Sequence, residues 1–150
     1  METRLNLFSK GQTALKPLFL MGNYLKDSQI ETALQELIKI RVSQINGCAY
    51  CLDMHWKEAR ANGETEQRLY GLSAWYESPY YSKRERVALK WAEAVICCKI
   101  PNTIYDEVSQ HFTEEGLIDL TMVASLINTW NQLNIAFPKV AGTYQVGQWR

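Results

Sequence analysis

Apolar positions recur at spacings of three and four residues through most of the chain, and no alternation of apolar and polar residues lasts long enough for a strand. The clearest stripe lies in 29–46, where Leu34, Leu37, Ile38, Val42 and Ile45 share one helical face. Arg41 falls in the middle of that stripe, so it requires a partner there or a place at a subunit contact. Glu36 lies at the stripe's edge, compatible with an exposed carboxylate, and periodicity alone aims it at no partner. A first helix is expected over 12–26, with Pro17 tolerated because it is close to the start, and 1–11 is read as irregular. A cysteine-bearing helix follows over about 48–62 and stops at Asn62-Gly63. A short helix over about 65–75 leads into an aromatic segment, Trp75 to Tyr81, read as packing.

Ser82-Lys83-Arg84-Glu85 is a capping box that opens a helix to about 98, with Val87, Trp91, Ala94, Val95 and Cys98 on its apolar side. Pro101 breaks the chain before a short helix over 102–111, and Thr113-Glu114-Glu115 starts a last long helix to about 135. Phe137-Pro138 and a loose tail end the pattern. The expectation is an all-α bundle of six or seven helices, one domain over 1–150. That length suits a single core.

Charge narrows the partners. The chain carries 16 basic and 16 acidic residues, so there is no basic footprint for nucleic acid or an anionic membrane. The longest uncharged stretch, Leu120 to Pro138, contains Thr121, Ser125, Asn128, Asn131 and Asn134, which fits a buried or interface helix and not a membrane span. Its amides are read as helix-to-helix hydrogen bonds across a subunit contact. Met1-Glu2-Thr3-Arg4 opens no apolar run long enough for a signal peptide, so the cytoplasm is the expected compartment. In that compartment a Cys-x-x-Cys is redox-active or metal-binding more often than a permanent staple.

Cys48 and Cys51 are such a pair, and His55 follows one helical turn after the second. At about 100° per residue, Cys48, Cys51, Leu52, His55 and Ala59 share one face, and Asp53, Lys57 and Arg60 face water on the other. Gly47 can end the preceding helix in the left-handed conformation, which leaves Cys48 at the start of the next. Free N–H groups and the positive end of the helix dipole favour a thiolate there. Lowering a thiol pKa from about 8.5 to about 6.5 raises the thiolate fraction at pH 7 roughly 25-fold, a gain partly offset by lower nucleophilicity. A peroxidase therefore also needs a proton donor for the leaving oxygen, and His55 is the candidate. Three ligands could hold zinc, but a structural site takes a fourth, and neither Cys97-Cys98 nor His111 supplies matching spacing, so no metal is expected. Cys97 and Cys98 are read as core or interface residues and His111 as a surface residue. No flavin, haem or nicotinamide fingerprint is present, so no cofactor is expected.

The run Glu36-Leu-Ile-Lys-Ile-Arg-Val-Ser-Gln-Ile-Asn-Gly-Cys48-Ala-Tyr-Cys51-Leu-Asp-Met-His55 resembles the core of the alkyl hydroperoxidase D (AhpD-like) family, within the carboxymuconolactone decarboxylase-like superfamily. The likeness extends through Ala59 to Gly63, the Ser82 helix start and the Ile127-Asn-Thr-Trp-Asn-Gln-Leu-Asn134 segment, about residues 15–137 in all. It implies an all-helical subunit that forms homo-oligomers, trimers or hexamers, and a thiol-dependent peroxidase or disulfide-exchange activity. By that likeness Cys51 attacks the hydroperoxide, Cys48 resolves the sulfenic acid, His55 relays the proton and Glu36 orients or charges the relay. This conflicts with the helix-dipole argument for Cys48; the nearer histidine favours Cys51. A dithiol, lipoyl-bearing or thioredoxin-like, is the implied reductant. The sequence departs from the family pattern at Tyr50, where the best-studied branch has a second histidine, and at Gln132, where an arginine is usual. A non-redox decarboxylase on the same scaffold, or a redox-sensing oligomeric module, are the alternatives.

Overall fold

The computed structural model describes residues 4–149. Among them are eight α-helices: α1 (Leu7–Lys10), α2 (Gln12–Lys26), α3 (Thr32–Asn46), α4 (Ala49–Ala61), α5 (Glu66–Gly71), α6 (Lys83–Ile96), α7 (Asn102–Val108) and α8 (Glu114–Ala136). A 3₁₀ turn, Leu72–Ala74, extends α5. The all-helical bundle is as expected. The additional helix is α1, which falls in the stretch read as irregular; Asn6 caps it by accepting from the Ser9 N–H at 3.1 Å. Residues 1–3 of that stretch, where the absence of a leader was read, lie outside the described residues. No helix among the described residues is long and apolar enough to cross a membrane.

Helix α3 is the centre of the bundle, in contact with α4, α6 and α8. Its stripe residues Leu34, Leu37, Ile38 and Val42 are buried, as is Ile40 beside the stripe, whereas Ile45 at the stripe's end is exposed. Polar side chains fix how its neighbours meet it. Gln35 is buried and donates to the carbonyls of Leu25 and Ile30 at 2.6 and 2.8 Å, fastening the α2–α3 link. Asp119 on α8 accepts from the Tyr24 hydroxyl at 2.7 Å and the Gln29 N–H at 3.2 Å. Arg41 does have a partner inside the chain, and it is acidic. Its Nε donates to Glu93 Oε1 on α6 at 2.7 Å, and the Trp75 indole N–H shares that oxygen at 2.7 Å. In the aromatic segment Trp75 and Tyr81 pack in the core as expected, whereas Tyr76 and Tyr80 are exposed; Arg86 holds the segment by donating to the carbonyls of Trp75, Tyr76, Ser78 and Tyr81.

Three expectations are corrected. Of the two places read for Cys97 and Cys98, core or interface, the core is excluded, since both are exposed. Helix α6 ends at Ile96, and Cys98 takes the left-handed position beyond its C-cap at φ 53°, which turns the stripe outward before it reaches the thiols. The amide-rich part of α8 bonds within the chain: Asn46 Nδ2 donates to Asn128 and Asn131 at 2.9 and 3.0 Å, and Asn131 Nδ2 donates to Ser43 Oγ at 2.9 Å. The tail is ordered on α4. Its Tyr144 is buried and donates from its hydroxyl to Glu58, which also accepts from the Gly147 N–H at 2.7 Å. Asp53 accepts from the Gly142 N–H at 2.9 Å, and Lys57 donates to the Tyr144 carbonyl at 3.1 Å. The polar face of α4, read as facing water, is thus a seat for residues 142–147.

Asn131 is fully buried between α8 and α3. Replacing it with Ala strands Ser43 and leaves Asn46 with Asn128 alone, and we expect a loss of about 2–4 kcal/mol of stability, read as a lower urea midpoint at unchanged slope.

Candidate active site

A two-residue turn builds the site. Gly47 ends α3 in the left-handed region at φ 69°, ψ 30°, and the Cys48 N–H returns to the Ser43 carbonyl at 3.1 Å. Cys48 then adopts an extended conformation as the N-cap of α4, and its sulfur accepts from the Cys51 backbone N–H at 3.4 Å. The two cysteines form a disulfide with a Cα–Cα distance of 5.4 Å, within the usual range for such a bridge. Both are buried.

The same turn folds α4 back along α3 and brings Glu36 to His55. His55 Nδ1 lies 2.8 Å from Glu36 Oε2, and Lys39 Nζ donates to Oε1 at 2.8 Å. Glu36 is not the exposed carboxylate its edge position allowed; it is 6% exposed and His55 7%. Burial alone pushes the Glu36 carboxyl up, but the charges and hydrogen bonds of His55 and Lys39 outweigh it and hold the group at about 2. An ionised Glu36 only accepts, so Nδ1 carries the proton of this bond. Nε2 is left as the ring nitrogen that can take up or release one.

Cys51 and His55 lie on the wall of a cavity of about 210 Å³ between α2, α4 and α8. Its remaining lining is mostly apolar, with Phe19, Leu126 and Trp130 prominent. Cys48 is not part of this wall, so geometry separates the two sulfurs: one is reached from the cavity, the other sits behind it. Phe8 and Trp149 complete the wall. Phe8 of α1 stacks on Trp149 at 4.8 Å between centroids, and the Lys139 ammonium lies 4.5–4.9 Å from the Phe8, Tyr50 and Trp149 rings. The Trp149 indole donates to the Tyr50 hydroxyl at 3.3 Å, so Tyr50, at the position of the family's second histidine, is engaged with the tail. Gln132 is exposed.

Sequence reasoning named Cys48, Cys51 and His55, and the family resemblance added Glu36; the structure pairs Cys48 with Cys51 and His55 with Glu36, and sets Cys51 and His55 on one cavity wall. It missed Asn134, whose Nδ2 lies 3.6 Å from Cys51 Sγ. The signal was present: Asn128, Asn131 and Asn134 fall on one face of an otherwise apolar helix, at spacings of three. No group of three or more His, Cys, Asp and Glu among the described residues is placed to hold a metal ion.

The depressed Glu36 pKa sets the acid limb of stability. The folded protein keeps Glu36 ionised down to about 2, whereas the unfolded chain protonates it near 4.5. Its stabilisation is complete above the higher value and is lost as pH falls through the lower one, about 3 kcal/mol in all. The gap in unfolding free energy between wild type and Glu36→Gln should therefore shrink by about that amount from pH 5 to pH 2 in denaturant titrations.

The model of the carboxymuconolactone decarboxylase family matches residues 14–94, more than half the chain. The uncharacterised protein YdfG of Bacillus subtilis (strain 168) is 42% identical over 139 residues, covering 91% of this chain and 95% of its own. A crystal structure of a protein of unknown function from Agrobacterium tumefaciens, described as a candidate antioxidant defence protein AhpD, superposes with a TM-score of 0.89 at 36% identity, over 95% of this chain and all of that one. An uncharacterised peroxidase-related protein from Silicibacter sp. TM1040 superposes at 0.79 with 26% identity, over 92% of this chain and 75% of that one. With its bundle and Cys48–Cys51 pair, the chain belongs to the carboxymuconolactone decarboxylase family, among its AhpD-like members.

Proposed function

We propose that this protein is a thiol-dependent hydroperoxide reductase of the cytoplasm, working through the Cys48–Cys51 pair. The observation that carries the reading is a disulfide with one sulfur on the wall of an apolar cavity and a buried imidazole–carboxylate pair one turn away.

In the reduced protein the Cys51 thiolate attacks the terminal oxygen of a hydroperoxide. An S–O bond forms as the O–O bond breaks, the sulfur gives up two electrons, and the alkoxide leaves with a proton from His55 Nε2. Glu36 stays ionised throughout and stabilises the imidazolium before it donates. The Cys48 thiol then displaces hydroxide from the Cys51 sulfenic acid, which releases water and closes the disulfide. An external dithiol opens the bridge again by exchange. Because both sulfurs are buried and Cys51 is reached through the cavity, a dithiol on a narrow arm, such as a lipoyl group, suits this access better than the surface of a thioredoxin-like protein. Exposed Leu20, Tyr24, Ile118 and Ile135 support assembly into homo-oligomers, and the family resemblance implies trimers or hexamers.

Stopped-flow reduction of an organic hydroperoxide tests the scheme. Cys51→Ser should abolish the reaction, and equal rates in wild type and variant would end the proposal. Cys48→Ser should complete one turnover and stop at a trappable sulfenic acid. His55→Ala should lower the rate by about 10²–10⁴ with both thiols intact.

A further inference from the structure

We propose that Asn134 is a catalytic residue of this site: its amide N–H holds the Cys51 thiolate, and its carbonyl oxygen accepts a hydrogen bond from the O–H of the substrate. The second half rests on the hydroperoxide reading above; the first does not.

Asn134 is 8% exposed and lines the cavity beside Cys51. Its orientation is fixed by α8 itself. Nδ2 donates to the Trp130 carbonyl at 2.9 Å, and a flipped amide would set two acceptors against each other there. The second Nδ2 hydrogen has Cys51 Sγ within reach at 3.6 Å. Once the disulfide is reduced, that sulfur can ionise, and an N–H already aimed at it becomes a charge-assisted donor.

The other end of the amide has no partner. Asn134 Oδ1 is buried and makes no hydrogen bond in the protein. A buried acceptor left open is costly to a fold. Its neighbours Asn131 and Asn46 are satisfied on the same helix pair, so amides here are not left open for want of donors. Asn134 lines the cavity beside Cys51, and an acceptor left unpaired there fits a ligand that brings its own donor once the side chain turns Oδ1 toward the cavity. A hydroperoxide carries its hydrogen on the oxygen that the thiolate attacks. With that O–H given to Oδ1, the terminal oxygen is held toward Sγ, and the O–R side points to the apolar wall and to His55.

Two variants and two readouts test this, in a Cys48→Ser, Cys97→Ser, Cys98→Ser background so that Cys51 is the only thiol. Asn134→Leu keeps the shape and removes both polar atoms; Asn134→Ala serves if the first fails to fold. The Cys51 titration, followed by the ultraviolet absorbance of the thiolate, should move up by about one pH unit. At a pH where Cys51 is fully ionised in both proteins, the single-turnover rate constant with tert-butyl hydroperoxide should still fall about tenfold, because the acceptor is missing. The melting temperature of Asn134→Leu should equal or exceed that of the parent, since an unsatisfied buried oxygen has gone. An unmoved titration overturns the thiolate role, and an unchanged rate at full ionisation overturns the substrate contact. A lowered melting temperature with both readouts unmoved marks Asn134 as structural. A parent protein that reduces no hydroperoxide removes the peroxidase reading and the substrate contact with it, while the titration still decides the thiolate role.

Discussion

A buried carboxylate and a buried imidazole hold one another across the α3–α4 turn, and the site depends on that contact. A lone carboxylate at Glu36 would be strongly disfavoured in so dry a place. Here each of its oxygens has one cationic or potentially cationic partner, Lys39 on its own helix and His55 on the next. The pairing fixes which imidazole nitrogen is committed and which is free, and so decides where a proton can be handed over. It also ties the angle between α3 and α4 to the chemistry: a change in helix packing that parts the two groups removes a proton relay and leaves a buried charge at once.

The turn makes this contact possible. Gly47 supplies the left-handed step, Cys48 caps the helix it begins, and the disulfide spans the first turn of α4. One short segment therefore ends one helix, starts another and carries both redox atoms. Behind it, Asn131 and Asn46 clamp α8 to α3, so that α8 presents Asn134 and Trp130 to the cavity at a fixed height.

The helical bundle and the thiol–imidazole face were legible because each is local. A stripe such as Leu34 to Ile45, a capping box at Ser82 and three reactive groups within eight residues are all short-range patterns. Glu36 reads differently. Its sequence position puts it at the edge of a stripe, and only the fold-back at Gly47 turns that edge toward His55, nineteen residues away. The family likeness supplied that residue where periodicity could not. The α8 amides were misjudged for the same reason: their spacing announces a polar seam but does not say whether the seam meets another subunit or the chain's own Ser43 and Asn46. The tail has no periodicity at all. Its order comes from single long-range hydrogen bonds to Asp53, Lys57 and Glu58, charged residues that in sequence look like a solvated face.

The stacking of Phe8 on Trp149 has a practical side. Both rings line the cavity, although 141 positions separate them in sequence, so the approach to Cys51 is shaped by a contact that no single helix contains. Loosening either ring would widen that approach without touching a reactive group.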